Sequence, residues 1–439
     1  MKGVVIAAPA SGSGKTLITL GLLRHLAAGG RRVVSAKVGP DYIDPAFHAA
    51  ASGRPCRNLD GWAMRDATLA AQYETLAKDA DIVICEGVMG LFDGAAVAPG
   101  TTRRGATADI ASTFGWPVVL VVDARAQAAS AAAVVRGFAA HEPGVNVAGV
   151  IYNRVGGAAH ADILKSAQAA ALPGIPVLGC VPRGAELALP SRHLGLVQAL
   201  EHPDLEGFID GAADMISEHV DIAVLLALAQ DGRPPASGVD GVAIRPLGQR
   251  IAVARDAAFA FAYDHMLDGW RTAGAEVLAF SPLAGEVPAA DADAIYLPGG
   301  YPELHAGALA TRPFLPALRD AAAAGAAIFG ECGGYMVLGR ALTDADGHAH
   351  AMAGLLGVET SFAARKLHLG YRQAVLERRA ILGAAGQRFR GHEFHYAAIV
   401  AEDGEPLFRA SDAAGRPLGP AGLKTERVSG SFIHLVDAD

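Results

Sequence analysis

The chain is 439 residues long, 51% hydrophobic, and carries a net charge of −8 at neutral pH. That length exceeds one ordinary core and implies two or three domains, while an acidic balance without a basic stripe argues against a nucleic-acid partner. No apolar run reaches membrane-spanning length, and the four cysteines, Cys56, Cys85, Cys180 and Cys332, lie far apart in sequence. They suggest neither a disulfide framework nor a zinc site, so a reduced, cytoplasmic protein without a membrane partner is expected.

The opening "MKGVVIAAPASGSGKT" has one basic residue ahead of a short apolar run that breaks into glycines, so it reads as a first strand rather than a leader. The ending "SGSGKT" offers the amides of Gly12 and Gly14 to phosphate oxygens, with Lys15 as a mobile cation and Thr16 as a hydroxyl for Mg²⁺. Pro9 stands where the usual phosphate loop has its first glycine, so the motif is a variant. Further apolar runs, "RVVSAKV", "DIVICEG", "PVVLVVDA", "VAGVIYN" and "IPVLGCVP", alternate with alanine-rich helical stretches. That alternation predicts an α/β domain with a parallel sheet whose strands end at a ligand crevice. Two strand ends carry the carboxylates a metal-bound nucleotide needs: Asp41 and Asp44 in "KVGPDYIDP", and Glu86 then Asp93 in "DIVICEGVMGLFDG".

The Gly- and Pro-rich residues 233–248 read as a linker between domains at 1–232 and 249–439. A second α/β series follows: "RIAVARD", "AEVLAFSP", "DAIYLPGG" and "AAIFGEC". The segments "LGYRQAVLE", "HEFHYAAIV" and "GSFIHLV" read as antiparallel strands. In "FGECGGYMVLG", Cys332 occupies a strand-to-helix turn, where neighbouring amides favour thiolate over a thiol of ordinary pKa about 8.5. The Gly-Gly loop of "YLPGGYPE" supplies oxyanion donors, assigned with the turn to Gly300 and Gly333. His434 is the expected base, in preference to His392 and His395, which strand alternation puts on opposite faces.

Taken in order, "SGSGKT", "KVGPDYIDP", "CEGVMGLFDG", "SRHLGL", "PGGYPE", "GECGGYM" and "GHEFHY" resemble the glutamine-dependent corrin a,c-diamide synthases of cobalamin biosynthesis. The resemblance spans nearly the whole chain. It implies a dethiobiotin-synthetase-like P-loop domain followed by a class I glutamine amidotransferase domain. It also implies ATP and Mg²⁺ as cofactors, with Lys15 and Thr16 at the phosphates and Asn153 at the adenine. Thr16, Asp41 and Glu86 would hold the metal, and Asp44 and Asp93 the acyl phosphate. Cys332 would be the glutaminase nucleophile and His434 its base. L-Glutamine and a corrin acid are the implied substrates, and a homodimer the implied assembly. Class I amidotransferases carry a glutamate two residues after the histidine; here Val436 stands there, so the third member is absent or supplied from elsewhere, with Asp437 one candidate.

The implied reaction is ATP-driven amidation of the a and c carboxylates of hydrogenobyrinic acid, with cobyrinic acid as the alternative substrate. A sister amidating ligase would keep every residue role and change the substrate. A partitioning-type ATPase switch would account for the first half and leave Cys332 idle.

Overall fold

The computed structural model describes residues 1–78, 80–184, 191–192, 195–236 and 242–439. Part of "SRHLGL" and the middle of the expected linker lie outside the described residues. The chain divides into two compact units. One comprises Met1–Trp62, Leu69–Gly94 and Thr102–Val239; the other comprises Ala63–Thr68, Ala95–Thr101 and Asp240–Asp439.

The first unit is built on seven parallel strands: β1 (Lys2–Ala7), β2 (Val33–Val38), β3 (Arg57–Leu59), β4 (Ile82–Glu86), β5 (Val118–Asp123), β6 (Val147–Val155) and β7 (Val177–Pro182). Their order across the sheet is β3-β2-β4-β1-β5-β6-β7. β1 lies between β4 (Ile6 opposite Glu86) and β5 (Val5 opposite Val118), so the winding direction reverses beside it. A crevice forms at such a reversal, outside the carboxyl ends of the strands. Every residue of β2 and β4 is buried, as a parallel sheet covered on both faces requires. The helix Lys15–Ala28, α1, contributes Ile18, Leu22 and Leu26 to the core beneath, alongside Ile209 and Ile216 of Leu205–His219. Each such side chain adds about 1.5–3 kcal/mol on burial. The six long apolar runs are the strands expected from sequence, whereas β3 is only three residues long and shows no period.

The second unit holds a ten-stranded mixed sheet. Its first five strands, in spatial order Glu276–Phe280, Arg250–Ala254, Ala294–Leu297, Ala327–Glu331 and Val428–Ser431, are parallel. The order continues through the antiparallel strands Pro417–Lys424, Glu405–Asp412, His368–Leu376, Arg388–His395 and His434–Ala438. A four-stranded sheet accompanies it. Two expected strands are each divided in the fold. "HEFHYAAIV" splits between Arg388–His395 and Ala398–Glu402, which belong to different sheets. "GSFIHLV" splits between Val428–Ser431 and His434–Ala438, where Ser431 Oγ accepts from Ile433 N at 3.1 Å and bends the chain. Both breaks fall at apolar residues, Tyr396–Ala397 and Phe432–Ile433, with no glycine or proline to mark them, so sequence pattern alone does not reveal them.

Among the described residues no helix is long and apolar enough to cross a membrane. All four cysteines are free.

Candidate active sites

Residues 8–14 connect β1 to α1 at the carboxyl edge of the first unit's sheet. Gly12 and Gly14 have φ of +77° and +91°, left-handed values open to glycine. Gly14 is also sterically fixed: a Cβ there would lie 2.2 Å from Asn153 Nδ2. That amide donates to Ser13 O at 2.9 Å, and Arg154 donates to Gly12 O at 2.7 Å, so the end of β6 holds the loop in shape. Lys15 Nζ donates to the Met89 carbonyl at 2.6 Å. Burial lowers the pKa of this ammonium, with Glu86 opposing the shift.

Thr16 Oγ1 donates to Glu86 Oε1 at 2.7 Å and stands 3.5 Å from Asp44 Oδ2. Lys37, at the end of β2, donates to Glu86 Oε1 at 2.9 Å and to Asp44 Oδ2 at 2.5 Å. His48 Nε2 donates to Glu86 Oε2 at 2.6 Å. Burial would raise the Glu86 carboxyl, but Lys37, His48 and Thr16 together hold it well below the usual carboxylate range. Asp44 is pushed up to about 6, by burial first and then by the Asp41 charge. Burial disfavours a charged His48, yet its Cys56 and Glu86 neighbours outweigh that and push it up to about 10.

A cavity of about 620 Å³ opens over this cluster, bordered by Gly12, Lys15, Thr16, Asp44, Glu86 and Asn153 among others. Asp41 also borders it, but Asp41 Oδ1 accepts from the Ile43 and Asp44 amides, and Oδ2 lies 3.8 Å from Lys37. Asp93 does not border it among the described residues; its carboxylate accepts from Gly90 N at 2.9 Å. Magnesium takes hard oxygen donors. Thr16, Asp44 and Glu86 supply them, Asp44 Oδ1 is buried with no hydrogen-bond partner, and Lys37 already holds positive charge between the carboxylates. The cluster fits that ion.

In the second unit, Cys332 joins the buried strand Ala327–Glu331 to the helix Gly333–Leu338 with φ +48° and ψ −102°. A non-glycine residue in such a conformation stores strain of about 1–3 kcal/mol. The turn closes because its glycines leave no room for side chains: a Cβ on Gly334 would lie 2.0 Å from Leu297 O, and one on Gly333 2.8 Å from Pro302 Cδ. The same Gly333 Cβ would lie 3.1 Å from Gly300 N, which brings the Gly-Gly loop up to the turn. The neighbouring Gly299 faces His434, its Cβ position 2.3 Å from the imidazole Cε1.

Sequence reasoning favours thiolate at this turn, and the fold opposes it. Burial raises the Cys332 thiol far above its ordinary range, and the nearby Glu303 charge adds to the shift. Burial lowers His434 well below its ordinary value, reinforced by His392, whose ring stacks on it at 4.9 Å. Both groups therefore rest in their neutral forms.

Comparison with known proteins gives two domain matches. Residues 4–197 match the CobQ/CobB/MinD/ParA nucleotide binding domain, and residues 250–438 the CobB/CobQ-like glutamine amidotransferase domain. A hydrogenobyrinate a,c-diamide synthase of Brucella ovis is 53% identical, covering 100% of this chain and 99% of that protein. The hydrogenobyrinate a,c-diamide synthase of Rhodobacter capsulatus is also 53% identical, over 99% of this chain and 98% of its own. The chain belongs to this family.

As a member of the a,c-diamide synthase family it is an amide-forming ligase that joins a nucleotide-binding domain to a glutamine amidotransferase domain. Four buried ionisable residues in or beside the two clusters carry no motif of their own in the sequence: Lys37, His48, Glu303 and Glu331. Glu331, directly before Cys332, ends an apolar strand just as Glu86 does, and that position was its available signal. It accepts from Tyr296 Oη at 2.7 Å and from Leu435 N at 3.0 Å, and its Oε2 lies 4.0 Å from His434 Nδ1. Asp437, the candidate beside Val436, is engaged elsewhere. It accepts from the Arg65 amide at 2.8 Å, the Arg65 guanidinium at 2.7 Å and Thr68 Oγ1 at 2.6 Å.

Proposed function

We propose that the chain amidates the a and c carboxylates of hydrogenobyrinic acid in the cytoplasm, using ATP and ammonia released from L-glutamine. The observation that carries this reading is 53% identity, over essentially the full length, to proteins named for that reaction. The two sites supply the chemistry.

Cys332 Sγ attacks the γ-carbonyl of glutamine while neutral His434 takes the thiol proton. The amides of Gly300 and Gly333 receive the developing oxyanion. Collapse breaks the C–N bond, His434 returns the proton to the leaving nitrogen, and ammonia departs from a thioester. Water, deprotonated by the same imidazole, releases glutamate and regenerates the thiol. Glu331 faces the imidazole edge and takes the orienting place that Val436 cannot fill.

In the first unit, the glycine-loop amides and Lys15 hold the phosphates of ATP, and Asn153 keeps that loop in shape. The carboxylate of the acid substrate accepts the γ-phosphoryl group with loss of ADP, and ammonia then displaces phosphate to leave the amide. A magnesium ion held by Thr16, Asp44 and Glu86 would neutralise charge on the phosphate oxygens. Catalysis of this step rests mainly on positioning and charge stabilisation.

Purified protein with ATP, Mg²⁺ and glutamine, given hydrogenobyrinic or cobyrinic acid in separate tubes, tests the reading by mass spectrometry. Two successive carboxyl-to-amide mass changes on hydrogenobyrinic acid are expected. Turnover of cobyrinic acid alone would reassign the substrate, and none on either acid would reject the reading. Cys332→Ala should abolish glutamine-driven amidation and spare the ammonia-driven reaction, whereas Lys15→Ala should lose both by about 10²-fold or more. Equal loss with both donors in Cys332→Ala would remove its role as nucleophile.

A further inference from the structure

Glu303 sits on the single 3₁₀ turn Pro302–Leu304 that follows the Gly-Gly loop. This turn packs against the start of the Cys332 helix, because Pro302 Cδ fills the space in front of Gly333. The residue is 7% exposed, and its Oε2 is buried with no hydrogen-bond partner. When ionised it would act on the Cys332 thiol, so the carboxyl lies within electrostatic reach of the nucleophile. Burial pushes Glu303 up to about 8, opposed by its own backbone N–H and by the field of Arg365, an exposed residue.

A buried carboxyl oxygen left without a donor costs about 1–3 kcal/mol. Such groups are rare in folded proteins, and each calls for an explanation. Nothing in the mechanism above uses Glu303. Glutamine brings three polar groups to Cys332: the γ-amide that reacts, an α-carboxylate and an α-ammonium. A carboxylate would repel the second and pair with the third.

We propose that Glu303 receives the α-ammonium group of the glutamine bound for attack by Cys332, and so selects α-amino acid amides over simple carboxamides. The inference rests on the reading of Cys332 as the glutaminase nucleophile. Burial disfavours the Glu303 charge in the empty site and a bound ammonium favours it, so the ion pair forms only with the substrate present.

The test is product inhibition of glutamine-driven amidation by L-glutamate, which carries the α-ammonium, and by glutarate, which lacks it. The unaltered enzyme should bind L-glutamate about tenfold or more tightly than glutarate, as expected for a charge-assisted bond. Equal inhibition by the two would overturn the proposal without any variant. Glu303→Gln should weaken L-glutamate and leave glutarate where it was, bringing their ratio near one. Its KM for glutamine should rise about tenfold, with a much smaller change in kcat. Equal weakening of both inhibitors would mean that Glu303 only supports the turn, and would also overturn the proposal. Glu303→Asp keeps the charge and should retain part of the preference, which decides the matter if Glu303→Gln fails to melt cooperatively. Failure of the underlying reading has a separate signature: Cys332→Ala would keep glutamine-driven amidation.

Discussion

Neutral Cys332 and neutral His434 set the resting state of the proposed glutaminase site. Burial is the main cause for both, raising the thiol and lowering the imidazole, so no thiolate–imidazolium pair is preformed. The sign for reactivity follows directly. A thiol whose pKa lies above its ordinary value of about 8.5 reacts as the minor thiolate form throughout the neutral range. Iodoacetamide labelling of Cys332 should therefore accelerate steadily with rising pH and show no neutral plateau. Peptide mapping against the other three cysteines would assign the rate, and a plateau near pH 6 would reveal a preformed ion pair. The nucleotide site has the opposite character. Lys37, His48 and Thr16 hold Glu86 in its ionised form, which suits the proposed binding of phosphate and metal there.

At the level of single elements, both sites use the junction between a buried parallel strand and a helix. β1 delivers the phosphate loop and Ala327–Glu331 delivers Cys332. Glycine serves each junction differently. Gly14 combines a left-handed φ with a missing Cβ that would otherwise strike Asn153, whereas Gly12 has the φ alone and open space around it. At the second junction the strained residue is the cysteine itself. Cys332→Gly should therefore be more stable than Cys332→Ala by about 1–2 kcal/mol, since glycine relieves a strain that alanine keeps. Urea unfolding midpoints of the two variants measure this. An alanine variant as stable as the glycine one would show that the turn is not strained.

On the scale of the whole molecule, the second unit recruits residues from early in the chain. Ala63–Thr68 belongs to it, and Arg65 and Thr68 satisfy Asp437 across a sequence separation of about 370 residues. Asp437 is fully buried and Arg65 about a third exposed. Removing only the cation strands a buried carboxylate, so Arg65→Met should cost about 3 kcal/mol, the low end for a broken buried pair. Arg65→Met combined with Asp437→Asn should cost less than Arg65→Met alone. Thermal melts of the three proteins check this, and additive losses would show that the carboxylate does not depend on Arg65. The sequence by itself determined the α/β class, most strands of both sheets, and the residue types at the phosphate loop and the Cys332 turn. Those signals are local, because strand period, glycine placement and motif spacing are written within a dozen residues. Only the tertiary structure decided that Asp44, rather than Asp41, stands beside Thr16 and Glu86, and that Glu331 faces His434. It alone placed Asp437 with Arg65 and left Glu303 Oε2 without a donor. Carboxylates look alike in sequence, and their roles depend on burial and partners contributed by strands and turns distant along the chain.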